Sequence, residues 1–120
     1  MLDHVSLNVS DATQAKKFYT KALEPLGYTI FKEYDGGFGI GESGEASVWT
    51  QEADVEKPTH LSFRAKDRKI VDAFYKAAIA AGGKDNGKPG IREKYSQDYY
   101  AAFVLDPDGN NVEAVCHGSR

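Results

Sequence analysis

The sequence has few of the residues that build disulfides, thiolate zinc sites or basic binding surfaces. Its 120 residues include one cysteine, Cys116, so no disulfide can form within the chain and no Cys-based zinc motif is present. The 15 Lys and Arg and the 18 Asp and Glu are not grouped in blocks of one sign, which argues against nucleic-acid binding. No apolar run is long enough to span a bilayer, and no signal-peptide pattern opens the sequence. We therefore expect a cytoplasmic protein with neither nucleic acid nor membrane as a partner.

An internal repeat organises the chain. Residues 59–65 (THLSFRA) repeat residues 3–9 (DHVSLNV), and the similarity continues beyond them. At a constant offset of 56 residues the matching pairs are His4/His60, Ser6/Ser62, Asp11/Asp67, Phe18/Phe74, Tyr19/Tyr75, Ala22/Ala78 and Gly27/Gly83. A chain of this length is too short for two independent cores, so the copies are expected to be two halves of one domain. We place the modules at 1–56 and 57–120, within a single domain 1–120.

Each half has the pattern of a strand, a helix and three strands. Both helices begin at an aspartate cap, carry apolar residues at i, i+3 and i+4 spacing, and stop at glycine. The first half is predicted to contain strands at 5–9, 28–34, 38–40 and 46–51, and a helix from Asp11 to Gly27. The second half is predicted to contain strands at 60–65, 101–105 and 111–116, and a helix from Asp67 to Gly82. The polar segment 84–100 is predicted to contain a long loop.

A histidine opens each copy on the strand face that lacks the regular apolar residues. Period-two alternation places Val5 and Leu7 on one face and His4 on the other, and the second copy has the same pattern around His60. Such histidines are often simply satisfied by backbone partners. Glu113 in the last strand either points to solvent or faces the histidines, where a metal or Arg64 would neutralise it. The two readings remain open on residue patterns alone.

The tandem βαβββ pattern, the opening histidines and the closing sequence Asp106 to Val115 (DPDGNNVEAV) resemble the vicinal oxygen chelate superfamily. This superfamily includes glyoxalase I, extradiol dioxygenases, and fosfomycin and bleomycin resistance proteins. The resemblance implies an α+β fold, in which paired βαβββ modules form a strongly curved mixed sheet around a cup-shaped site. It also implies a divalent metal (Fe, Mn, Zn or Ni) bound by His4, His60 and Glu113. The fourth ligand position of the family falls at Trp49, which cannot ligate a metal.

The resemblance implies a lyase or dioxygenase type of metalloenzyme that acts on a small oxygen-chelating substrate. An alternative from another class is a metal-free binding or resistance protein that sequesters an aromatic or anionic ligand in the same cup. A homodimer is also implied by the resemblance. Tyr95 and Tyr99 are candidates for the acid/base group, and Arg64 for an anion anchor. The candidate substrate contacts are Phe38, Trp49, Arg64, Arg92, Tyr95, Tyr99, Tyr100 and Phe103.

Overall fold

The computed structural model describes residues 1–118, which form two four-stranded sheets and two α-helices. The first module contains β1 (Val5–Val9), α1 (Ala12–Ala22), β2 (Thr29–Tyr34), β3 (Gly37–Gly41) and β4 (Val48–Glu52). The second contains β5 (His60–Arg64), α2 (Arg68–Ala80), β6 (Lys84–Ile91), β7 (Tyr100–Leu105) and β8 (Asn111–Cys116). Neither α-helix in this part of the chain is long and apolar enough to cross a membrane.

The two sheets have the same topology, as the sequence repeat predicts. Their strand orders are β1-β4-β3-β2 and β5-β8-β7-β6. In each sheet the first strand pairs with the last strand of its module in parallel, and the other pairings are antiparallel. The parallel pair needs a long crossover, which the helix and the two middle strands provide. The α+β prediction with repeated βαβββ modules is therefore confirmed.

The helices cover one face of each sheet, and no helix of residues 1–118 covers the other face, which we call the outer face. α1 packs on β3 and β4, α2 packs on β6, β7 and β8, and the helices also contact each other. Buried residues of both modules form one hydrophobic core on this inner side, including Phe18, Phe74 and Val104. The polar residues of β1 and β5 alternate with the core residues and point to the outer faces.

The predicted aspartate caps are present at both helices, but the first helix is shorter than expected. The Asp11 and Asp67 side chains each accept a hydrogen bond of 3.0 Å from the backbone N–H three residues later. α1 ends at Ala22 instead of continuing to Leu26, and a short 3-10 helix follows. Pro25 lies in that turn and has no backbone N–H to continue the α-helical pattern. Gly27 then ends the segment with a φ of +83°, which favours glycine.

The turn between β7 and β8 ties the two modules together. Asp106, which is buried, accepts hydrogen bonds from the Tyr19 hydroxyl of α1 at 2.5 Å and from the Asn110 side-chain amide at 2.8 Å. Asn110 in turn accepts the Thr59 backbone N–H at 2.7 Å. Burial and the nearby Asp106 carboxylate raise the pKa of Tyr19 well above its ordinary value, so its hydroxyl stays a donor. The Asp-Pro-Asp-Gly segment therefore has a structural role in this fold.

The loop predicted within residues 84–100 is present in the second half of that segment, and a strand occupies the first half. Residues 84–91 form the edge strand β6, which pairs with β7 across two register shifts near Gly87 and Gly90. The strand is polar and contains Pro89, features that are tolerated at a sheet edge and that conceal a strand in the sequence. Only residues 92–99 connect β6 to β7 without regular strand structure.

Candidate functional site

The outer face of the second sheet brings His60 and Glu113 together. β5 and β8 are parallel neighbours, and Ser62 is the register partner of Glu113. Residues of matching parity on both strands therefore point to the same side. His60 Nε2 lies 2.8 Å from Glu113 Oε1. The Glu113 side chain is 2% exposed and that of His60 is 51% exposed, so the carboxylate is the base of the site and the imidazole is its solvent-facing edge.

Tyr99 supplies the second partner of the buried carboxylate. Its hydroxyl donates a short hydrogen bond to Glu113 Oε2, so both carboxylate oxygens have protein partners. Partial burial, followed by the hydrogen bond and the negative charge of Glu113, raises the pKa of Tyr99 to about 12. At neutral pH Tyr99 is therefore protonated and acts as a hydrogen-bond donor. His60, Glu113 and Tyr99 form what we call the carboxylate triad.

Two more rings border Tyr99. The Tyr95 ring centroid lies 4.9 Å from that of Tyr99, and the His117 ring lies 5.2 Å from it in a T-shaped arrangement. Tyr95 is 57% exposed. These rings pack against the Tyr99 ring.

His4 lies apart from His60 within the chain. Its Nδ1 pairs with Asp3 Oδ1 at 2.7 Å, and both side chains are largely exposed. His4 lines a cavity of about 200 Å³ together with residues 61–64 of β5, and His60 is outside the wall of that cavity. Among residues 1–118 no group of three His, Cys, Asp or Glu side chains is close enough to hold a metal ion.

The donor set fits a divalent metal only in part. His60 Nε2 and Glu113 Oε1 are 2.8 Å apart. This spacing suits two ligands of one ion, since metal–nitrogen and metal–oxygen bonds of about 2.0–2.2 Å place adjacent donor atoms roughly 3 Å apart. One imidazole and one carboxylate are nevertheless too few for a protein metal site, and a third ligand has to come from elsewhere.

Arg64 forms no ion pair with Glu113 among residues 1–118, where the partners of the carboxylate are His60 and Tyr99. It lines the His4 cavity and a larger cavity of about 610 Å³, which the ends of β5 and β8 form with Tyr28.

The remaining candidate contacts divide between the two sides of the sheets. Phe38 is 1% exposed and packs in the core, on the helix side of β3. Tyr100 also faces the helix side, where its hydroxyl donates to Asp72 Oδ1 at 2.6 Å. Phe103 is on the outer face, with its ring centroid 6.2 Å from that of His60 and 5.4 Å from the Arg92 guanidinium carbon. Of these residues, Phe103 and Arg92 border the carboxylate triad.

The outer face of the first sheet carries an aromatic cluster in place of polar groups. The Trp49 ring lies over Gly39, its register partner on β3, with Phe31 at 6.1 Å and Tyr34 at 6.2 Å between ring centroids. A Cβ on Gly39 would lie 2.6 Å from the Trp49 ring, so glycine is required for this close packing. Phe31 and Tyr34 are 52% and 41% exposed. These two residues are absent from the sequence-based candidates, although the alternating glycines of β3 (37, 39 and 41) are a signal for rings lying flat on a strand.

The chain has repeated βαβββ modules and a carboxylate triad. Comparison with known proteins identifies its family. The model of the Glyoxalase/Bleomycin resistance protein/Dioxygenase superfamily matches residues 1–114. The chain belongs to this superfamily.

Individual relatives agree with this assignment. A glyoxalase/bleomycin resistance protein from Albidiferax ferrireducens T118 is 30% identical, with a TM-score of 0.77 and coverage of 95% of this chain and 96% of that one. A family enzyme from Burkholderia phytofirmans PsJN shares the fold at 19% identity, with a TM-score of 0.77 and 98% of each chain covered. Among curated proteins, the uncharacterized protein YqjT of Bacillus subtilis (strain 168) is 26% identical over 95% of this chain and 97% of its own length.

Proposed function

We propose that this protein is a metal-dependent enzyme of lyase or dioxygenase type that acts on a small oxygen-chelating substrate. The observation that carries the proposal is the pairing of His60 and Glu113. A buried carboxylate and a half-exposed imidazole lie 2.8 Å apart on an open sheet face, with the carboxylate fixed from behind by Tyr99. Preorganisation of this kind is typical of metal ligands, whose orientation depends on neighbouring hydrogen bonds.

The third ligand in this proposal is His4 from a second copy of the chain. His4 and His60 are both about half exposed, and within residues 1–118 they do not belong to a common group of three metal-ligating side chains. A twofold-symmetric homodimer would form two equivalent sites, each with His4 from one copy and His60 and Glu113 from the other. The open outer faces of both sheets are available for such an association.

The side chains of the triad have distinct tasks in this site. Tyr99 stays protonated and donates a hydrogen bond to Glu113 Oε2, so the carboxylate stays oriented and its other oxygen faces His60. His60 directs its Nε2 atom towards the position that Glu113 Oε1 also faces. A bound divalent ion (Fe, Mn, Zn or Ni suits these N and O ligands) would act as a Lewis acid on the chelating oxygens of the substrate.

A second function, metal-free sequestration of an aromatic or anionic ligand, is favoured by a separate observation. The Trp49 cluster offers exposed aromatic rings of the kind that stack on planar ligands, and it contains no metal-binding group. Both oxygens of Glu113 also have protein partners without a metal.

Metal content distinguishes the metal-dependent enzyme from the metal-free binding protein, and co-expression of two variants tests whether the site is shared between chains. Untagged protein is reloaded with each candidate metal and analysed by plasma mass spectrometry, together with His4→Ala, His60→Ala and Glu113→Ala. We expect about one metal per chain in the parent protein and near none in the three variants. His117→Ala is the matched control, since it removes a histidine outside the proposed ligand set and is expected to retain the metal.

Co-expression of His4→Ala with His60→Ala, each carrying a different purification tag, tests the shared site. In the mixed dimer one site has lost both histidines and the other is intact, so half of the parent metal content is expected. A site within one chain would leave the mixed dimer empty. If the parent protein binds no metal under any loading condition, the enzyme proposal is refuted and the sequestration function becomes the one to pursue.

A further inference from the structure

Arg92 is held in a fixed position beside the carboxylate triad. Its Nη2 donates a hydrogen bond of 2.6 Å to the Lys88 backbone oxygen, and its guanidinium carbon lies 5.4 Å from the centroid of the Phe103 ring. The hydrogen bond uses one guanidinium N–H, and the side chain forms no salt bridge within residues 1–118. An arginine that is fixed and also lacks a counter-charge is suited to bind an anion.

Two glycines of β6 provide the space in which this side chain lies. A Cβ added to Gly90 would lie 3.2 Å from Arg92 Nη1. A Cβ added to Gly87 would lie 3.1 Å from Arg92 Nη2 and 2.9 Å from Phe103 Cδ1. Gly87 also has a φ of +156°, which side chains rarely adopt. The glycine content that concealed β6 in the sequence therefore allows the guanidinium to pack against the strand and the Phe103 ring.

The cavity in front of Arg92 has a positive charge and no acidic residue in its wall. Its volume is about 250 Å³, and its wall includes Arg92, Lys94, Asn86, Asn111, Tyr95 and Phe103. The Lys94 ammonium lies 5.1 Å from the Tyr95 ring centroid, and the Asn86 amide is bonded to the Asn111 side chain. Asp85, an acid of the same strand, lies outside the wall and pairs with Lys88 at 3.5 Å.

This cavity adjoins the proposed metal site. The Phe103 ring lies near both the Arg92 guanidinium and the His60 ring, and Asn111 is the register partner of His60. A molecule bound at Arg92 would therefore have its other end near the triad.

We propose that the substrate of this protein carries a carboxylate group, which the Arg92 guanidinium binds while the remainder of the molecule extends over Phe103 to His60. The proposal rests on the site described under Proposed function and adds the chemical class of its substrate. The planar guanidinium presents paired N–H groups that match the two oxygens of a carboxylate, whereas Lys94 contributes positive charge without that geometry.

Benzoate is a suitable probe, since it combines a carboxylate with a ring that can stack near Phe103, and benzamide is its neutral counterpart. The full-length ¹⁵N-labelled protein is titrated in EDTA, so that binding does not depend on a metal. We expect benzoate to shift the Arg92 Nε–H signal and the amide signals of residues 86–94 and 103, and benzamide to leave them unchanged. Equal shifts from both compounds, or no shift at Arg92, would refute the proposal.

Three variants test the role of the guanidinium. Arg92→Gln is expected to weaken benzoate binding about tenfold or more, and Arg92→Lys by about threefold, because the charge remains without the planar fork. Gly90→Ala keeps the net charge and requires the guanidinium to move by only a few tenths of an ångström, so it is expected to weaken binding less than Arg92→Gln does. Lys84→Gln, which removes one charge at the other end of β6, is the matched control. If Arg92→Gln binds benzoate as Lys84→Gln does, the proposal is wrong.

The two proposals can fail separately. Benzoate binding without metal uptake would refute the metal site alone. Normal metal uptake without any response at Arg92 would refute the carboxylate assignment alone.

Discussion

Replacement of Tyr99 by phenylalanine tests whether the triad is a preorganised unit. The variant keeps the ring contacts with Tyr95 and His117 and removes only the hydroxyl that donates to Glu113 Oε2. Glu113 is almost fully buried, so water cannot easily replace the lost donor. Leaving a buried acceptor unsatisfied costs about 1–3 kcal/mol, and more when the group is charged. We expect the free energy of unfolding at pH 7, measured by urea denaturation, to fall by about that amount.

Two further variants identify the source of this loss. Tyr95→Phe removes an exposed hydroxyl that forms no hydrogen bond within residues 1–118, and it should change stability by less than ~0.5 kcal/mol. In a Glu113→Gln background the additional effect of Tyr99→Phe should shrink, because the acceptor is no longer a carboxylate. A loss below ~0.5 kcal/mol for Tyr99→Phe alone would show that the hydroxyl does not hold Glu113. An undiminished loss in the double variant would show that it acts through another group.

Three other measurements follow from the same structure. Because the pKa of Tyr99 in the folded state is about 12, above its ordinary value, its stabilising contribution is present below pH 10 and is lost as the pH rises towards 12. The stability difference between wild type and Tyr99→Phe should therefore narrow between about pH 10 and pH 12. Tyr19→Phe leaves the buried Asp106 without its contact to α1, and urea denaturation should show a loss of about 1–3 kcal/mol. Gly39→Ala forces the Trp49 ring off β3, which should shift the tryptophan fluorescence and destabilise the fold, whereas Gly44→Ala, with no atom within 4 Å of the added Cβ, should leave the fluorescence unchanged.

The repeat explains why the fold could be predicted from the sequence. The residues that match at the constant offset lie in the first strand, at the helix cap, along the helix and at the glycine that ends it. The interpretation of one half therefore supports that of the other. The strand pattern of the second half requires β6, but its bounds within residues 84–100 could not be predicted, because its pairing with β7 is set by tertiary contacts and its local composition, with Gly87, Pro89 and Gly90, is typical of a loop. The pattern of alternation placed His60 on the polar face of its strand, but it left the direction of Glu113 open and did not identify Tyr99 as the donor. That contact depends on the path of residues 92–99 over the sheet.

The position of His4 shows a limit of a different kind. The sequence repeat makes His4 and His60 equivalent in their modules, and equivalence suggests that they meet. In the chain, however, His4 pairs with Asp3 and lines a cavity with residues 61–64 of β5, and His60 is outside the wall of that cavity. The relative orientation of the two modules depends on the packing of the two helices and on the Tyr19–Asp106 hydrogen bond. The alternation of residues along a strand predicts neither of these contacts.

The two outer faces have diverged in a complementary way, and this favours a site that uses both. Trp49 pairs with Gly39 in the first sheet, and at the equivalent register positions of the second sheet Glu113 pairs with Phe103. Each of these two register pairs thus contains one large ring, which belongs to β4 in the first sheet and to β7 in the second. The first face has become an aromatic wall without ionisable groups at these positions, and the second retains the buried carboxylate. A polar substrate with a planar part would need both faces, and an association of two chains that opposes one face of each kind would create two such sites at once.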